Sequence, residues 1–280
     1  MAVKIITDSL GDIPSEVAKE LGITIVSLNV HFGSQTFRDG IDLTAERFYD
    51  KLVQGKVFPT TTVPPLSVFV NAYDKLAEET KEIVVITFSH KLGASYAAAL
   101  EAKGLMKRQC RVEVIDSGWV AMAQGLIVIA AAKAARRGAS IDKVVSLTRR
   151  NIPRADVRMV FDTLEYLSRG GRIGKAHTFL SSVLRVNPVL GIREGEVYPF
   201  AREHSRARAI DYLYQFASSF SRIEGMAVED ATTPGEADEL ARRLSAKFPR
   251  ETIYRTKVSP VVGVHVGPHV LAVSVLGDKR

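Results

Sequence analysis

The chain has 280 residues, 46% hydrophobic and 25% charged, which excludes a disordered or fibrous protein and leaves room for two globular domains. Its single cysteine, Cys110, excludes an internal disulfide and any multi-cysteine metal site. The net charge of +7 suits anionic ligands, but no aromatic-interleaved basic stretch or nucleic-acid motif accompanies it, so nucleic acid is not an expected partner.

The opening MAVKIITDS lacks a charged segment followed by a long apolar core, so no signal peptide is expected. The most apolar run, 126–132, lies in an Ala-rich segment interrupted by Gln124 and Lys133, too short to span a bilayer. A cytoplasmic protein is expected by elimination. VKIIT (3–7) reads as a strand ending at the polar turn DSLGD, and a helix follows with Pro14 in its first turn. Residues 23–32 read as one further strand. PTTTVPP (59–65) reads as a rigid extended loop with three hydroxyls, because its prolines disfavour helix and lack the N–H that a central strand needs. A helix over 66–79 leads to EIVVITF (82–88), an apolar run of the kind a parallel sheet buries on both faces. A helix over 94–107, strand RVEVID (111–116) and a long helix to about Arg137 complete the alternation. Strand–helix–strand–helix order predicts a parallel sheet with right-handed crossovers, in a three-layer α/β/α domain over residues 1–160.

After about Arg154 the texture changes. NPVLGIREGEVYPF (187–200) predicts a hairpin around Glu194-Gly195. A helix over 205–220, a strand over 223–229 and a helix from Pro234 to near Phe248 follow. SPVVGVHVGPHVLAVSVL (259–276) reads as two strands broken at Gly-Pro. The second domain, 161–280, is therefore expected to be α+β. The basic clusters at 149–158 and 202–210 read as solvated helix faces.

Ligands of open parallel sheets gather at the carboxyl ends of the strands. Thr7, Asp8 and Ser9 stand at the first end, Ser89 to Ser95 at the second, and Asp116, Ser117 and Gly118 at the third. Each set can cap a helix; together they suggest a polar crevice. In SHKLGASY, Gly93 and Ala94 let a ligand approach the backbone, and the following helix offers free N–H groups that favour an anion. With Thr61 and Thr62 this makes an uncharged cradle for a carboxylate or phosphate. No Walker-type loop and no GxGxxG after a strand is present, and GGRIG (170–174) follows an amphipathic segment; Arg172 there either meets an anion or caps a helix. Ser89, His90, Asp8 and Asp116 lack the GxSxG frame of a hydrolase elbow. The histidines show no metal-ligand spacing beyond His265 and His269 astride the Gly-Pro turn.

Taken in order, TDSLGDIP, PTTTVPP, SHKLGASY, IDSGWVAMAQG, LEYLSRGGRIG, NPVLGIREGEVYP and SPVVGVHVGP resemble the DegV family of bacterial fatty-acid-binding proteins over almost the whole chain. The resemblance implies two domains with a long-chain fatty acid such as palmitate between them, no cofactor, no metal and no catalysis. It implies that Thr61, Thr62, Ser89, Gly93, Ala94, Ser95 and His265 surround the carboxylate. Asp8, Ser9, Ser117, Arg172, His204 and Arg206 would form an outer layer or a partner contact. Hand-off to a fatty acid kinase and transient contact with a membrane surface are implied partners. The chain departs from the family pattern at Val63 and Pro65, where a glutamine and a serine are usual, and at Gly93, His204 and His269, which replace a serine, an arginine and a glycine. The acyl tail is expected along the helix 120–134, FLSSVL (179–184) or VVGVHV (261–266). The alternative is an enzyme acting on a small anion with Asp8, Asp116 or His265; a carrier that has lost its kinase and serves as a lipid buffer is a further reading.

Overall fold

The computed structural model describes residues 2–179 and 186–279. The chain runs β1 (Lys4–Asp8), α1 (Ser15–Leu21), β2 (Ile23–Val26), β3 (Asn29–Phe32), β4 (Gln35–Arg38), α2 (Ala45–Gln54), β5 (Thr60–Thr62), α3 (Leu66–Leu76), β6 (Glu82–Thr87), α4 (Ser95–Gly104), β7 (Arg111–Asp116), α5 (Ala121–Arg136) and α6 (Ile141–Asn151). It continues through β8 (Ala155–Val160), α7 (Glu165–Arg169), β9 (Asn187–Arg193), β10 (Glu196–Glu203), α8 (Arg206–Ser218), β11 (Phe220–Asp230), α9 (Pro234–Ser245), β12 (Ile253–Lys257), α10 (Pro260–Val266) and β13 (Leu271–Lys279).

Three sheets result. The first is parallel, in the order β2-β1-β6-β7, with α3 and α4 on one face and α1, α5 and α6 on the other. This is the predicted α/β/α sandwich. The second has the order β10-β9-β8-β13-β11-β12, antiparallel except for β11 and β12, and α8 and α9 cover its outer face. The residue 160 boundary falls at the end of β8, a strand of this second sheet. The third is a small antiparallel sheet, β4-β3-β5, packed with α10.

Helix α5 lies between the first two sheets, touching β1 and β6 on one side and β8, β11 and β13 on the other. Burial on all sides explains its apolar, small-residue sequence. A β-carbon on Gly125 would collide with the Gly11 carbonyl, so glycine lets the helix approach the turn after β1. Gln124, the polar interruption, donates from Nε2 to Thr7 Oγ1 (2.9 Å) and Asp8 Oδ1 (3.0 Å) and so ties α5 to the end of β1. Among the described residues no helix is long and apolar enough to cross a membrane.

Three sequence expectations change. The strand expected over 23–32 is two strands in different sheets: the chain leaves the parallel sheet at Val26, and Leu28 N donates to Ser9 Oγ while its carbonyl accepts from Asp39 N. The centre of PTTTVPP is not loop but the edge strand β5, which the flanking prolines tolerate because only one side pairs. The first of the two strands expected over 259–276 is instead helix α10. Pro260 occupies its first turn, and its valines are buried on every side. Gly267 at φ 81 then ends it.

Candidate functional site

A cavity of about 350 Å³ lies where the three sheets converge. Residues 1–160 supply Leu10, Leu28, Thr61, Thr62, Val63, Phe88, the loop 92–94, Val120 and Met159. The remainder of the chain supplies Phe161 just after β8, Leu167, Arg172, residues 190–192 of β9, Val197, and Val261, Val262, His265 and Val266 of α10. Among the described lining residues only Thr61, Thr62, Arg172 and His265 have polar side chains.

Thr61, His265 and Arg172 gather at one end. Thr61 Oγ1 and His265 Nε2 are hydrogen-bonded at 3.1 Å. His265 Nδ1 is buried and has no partner among the described residues. Burial first, and the nearby Arg172 guanidinium second, push the imidazole down to about 4, so the ring is neutral at pH 7. Gly170 makes room for it, since a β-carbon there would collide with Nδ1. Arg172 Nε donates to the Leu92 carbonyl (3.2 Å) and Nη1 to the Gly170 carbonyl (2.8 Å), pinning the guanidinium beside the loop that carries Gly93 and Ala94. Helix α4 starts there, and its N-cap, Ala94, brings no side-chain acceptor to the first amides. A polar recess of about 320 Å³ adjoins this end and shares Leu92, Gly93, Arg172 and Val197 with the cavity. The end is therefore not wholly uncharged, as the sequence suggested, but carries one cation.

Strand geometry separates the two threonines. Successive side chains of β5 point to opposite faces. Thr61 faces His265, whereas Thr62 Oγ1 is hydrogen-bonded to His31 Nε2 at 2.8 Å, and His31 Nδ1 to Thr36 Oγ1 at 2.8 Å. Gly93 and Ala94 line the cavity; Ser89 and Ser95 are buried but do not. Ser89 Oγ donates to the Gly195 carbonyl (2.7 Å), anchoring the hairpin turn, where Glu194 and Gly195 both have positive φ. Ser95 Oγ has no partner among the described residues.

The outer set divides similarly. Asp8 is fully buried, accepts from Phe88 N (2.9 Å), Leu10 N (3.2 Å) and Gln124 Nε2, and burial pushes it up to about 6; it joins the ends of β1 and β6. Ser9 accepts from Leu28 N, tying the turn after β1 to the segment between β2 and β3, and Ser117 accepts from Trp119 N within its own loop. Asp116 binds His90 Nδ1 at 2.5 Å, in a recess separate from the cavity. His204 is exposed, and Arg206 pairs with Glu236 and Asp162; neither lines the cavity. Asp8, Asp116 and His265 are thus not brought to one place. Of the proposed tail regions, VVGVHV supplies four lining residues, the helix 120–134 supplies only Val120, and FLSSVL lies outside the described residues except Phe179. Sequence reasoning missed Phe88, Met159, Leu190 and Ile192 as lining residues; the period-two spacing of Leu190 and Ile192 on a strand was the available signal.

Comparison with known proteins matches this fold over its full length. A DegV domain-containing protein of Clostridium perfringens (strain 13 / Type A) is 33% identical over 273 residues, covering 95% of this chain and 96% of its own. A fatty-acid-binding DegV family protein from Thermus thermophilus superposes with a TM-score of 0.89 at 27% identity, covering 99% of this chain and 100% of its own. A stearic-acid-binding protein from Eubacterium ventriosum superposes with a TM-score of 0.85 at 26% identity, covering 98% of each chain. The family model described as "Uncharacterised protein, DegV family" matches residues 2–278, and the chain belongs to the DegV family.

Proposed function

We propose that this protein is a non-catalytic carrier of a long-chain fatty acid, with the acyl tail in the cavity and the carboxylate at its Thr61–His265–Arg172 end. The observation that carries the reading is the grouping of Thr61, His265 and Arg172 at one end of an otherwise largely apolar cavity. Each buried methylene contributes about 0.8 kcal/mol, so a long tail drives binding. The carboxylate, costly to bury unpaired, needs donors at the polar end. With the imidazole proton on Nε2, His265 donates to Thr61 Oγ1 and leaves the threonine hydroxyl free to donate to the acid. The remaining N–H groups of Arg172 and the uncapped amides at the start of α4 complete the set. Fatty acid binding by the Thermus thermophilus and Eubacterium ventriosum proteins supports the assignment. The polar recess beside the mouth supports presentation of the headgroup to a fatty acid kinase.

Thr61→Val keeps the shape of the side chain and removes its hydroxyl. Loss of one hydrogen bond to a charged group predicts about tenfold weaker palmitate binding, with a lower melting temperature because His265 Nε2 also loses its partner. Titration with palmitate checks this, and undiminished affinity would remove Thr61 from the site.

A further inference from the structure

Gly93 and Phe88 both line the cavity. A β-carbon on Gly93 would stand 2.7 Å from Phe88 Cζ and 3.0 Å from Cε2, so the edge of the ring fills the space that any side chain at position 93 would take. The ring is held there. Phe88 is 3% exposed, and its backbone N–H donates to Asp8 Oδ2 (2.9 Å), itself bound by Gln124 of α5. Gly93 also borders the polar recess and adjoins Ala94 at the start of α4, which places the end of the ring at the headgroup end of the cavity.

We propose that Phe88, seated on Gly93, makes this site selective for fatty acids unsubstituted at C2. The inference rests on the fatty acid reading above. A carboxylate over the Gly93–Ala94 backbone brings its C2 against the ring edge. The two hydrogens of an unbranched chain fit in that contact, and a methyl group collides with a ring that close packing prevents from retreating.

The test is competition binding of hexadecanoic acid and 2-methylhexadecanoic acid to the full chain and to Phe88→Ala and Phe88→Leu. The native protein should prefer the unbranched acid by at least about tenfold. Phe88→Ala should bring the ratio close to one, whatever happens to either affinity alone, and Phe88→Leu should fall between. If the alanine variant does not fold, the leucine variant decides, because it retains an apolar side chain while withdrawing the ring edge. Equal native affinity for both acids, or a native-like ratio in the folded variants, overturns the proposal. Binding of neither acid by the native protein is a separate result, which removes the fatty acid reading and this inference with it.

Discussion

Val262→Phe should weaken palmitate binding about a hundredfold while leaving the protein folded. Val262 lies on α10, is 5% exposed and lines the cavity. A phenyl ring in its place occupies room for roughly four methylenes, about 3 kcal/mol of tail burial, or two factors of ten in affinity. The ring enters an existing cavity rather than solid core, so the fold is not strained as it would be at neighbouring Gly263, whose β-carbon would press on Phe48 and Tyr49. Shorter acids should lose less than palmitate. Displacement of a fluorescent fatty acid, read across chain lengths, checks both statements. Undiminished palmitate affinity in a folded variant would place the tail elsewhere.

Raising the pH from 5 to 8 should lower the melting temperature by several degrees, and Asp39→Asn should remove part of that fall. Burial holds Asp39 and Glu229 up at about 7, Asp8 at about 6, and Asp12 well above the usual carboxylate range. Such groups take up protons on folding. Their stabilisation is full below about pH 4 and is lost as the pH rises through their folded values, about 6 for Asp8 and about 7 for Asp39 and Glu229. His265 acts in the opposite sense: its folded value is depressed to about 4, so its contribution is present above about 6.5 and fades as the pH falls. Four acids outweigh one imidazole. Exposed carboxylates held low by arginine or lysine partners, such as Asp42 beside Arg38, act below this window. Burial is the main influence on Asp39, and an amide of the same shape removes that buried charge. The cluster bears on the cavity, because Asp12 Oδ1 accepts from Ser259 N (3.3 Å) at the start of α10, the helix that carries Val262 and His265. A pH-independent melt of the native chain, or an Asp39→Asn slope equal to native, would contradict this.

The parallel sheet was legible because its central strands announce themselves: EIVVITF carries four consecutive β-branched apolar residues, and β1, β6 and β7 are each followed by a helix. The hairpin at Glu194-Gly195 and the helix capped by Ser205 were legible for equally local reasons. Helix α10 was not. Its run of β-branched valines favours a strand, and only tertiary burial on all sides overrides that preference; the Ser259-Pro260 start was the sole local hint. Helix α2 carried a cap at Thr44 that the sequence reading passed over. Of the residues that line the cavity, Thr61, Gly93 and Ala94 were legible from the threonine loop and the small residues at a helix start, and His265 through motif resemblance. What hid was geometry: that β5 is a strand and turns Thr62 toward His31, that Ser89 spends its hydroxyl on Gly195, and that Arg172 lines the mouth as a cation. Each depends on contacts between residues distant in sequence, which no local pattern encodes.

The most direct measurement is mass spectrometry of what the native protein carries. The full chain, purified from a bacterial host and denatured in organic solvent, should release close to one equivalent of long-chain fatty acid, and delipidated protein should take up added palmitate. Repeated preparations without lipid, together with no uptake of palmitate, would contradict the account.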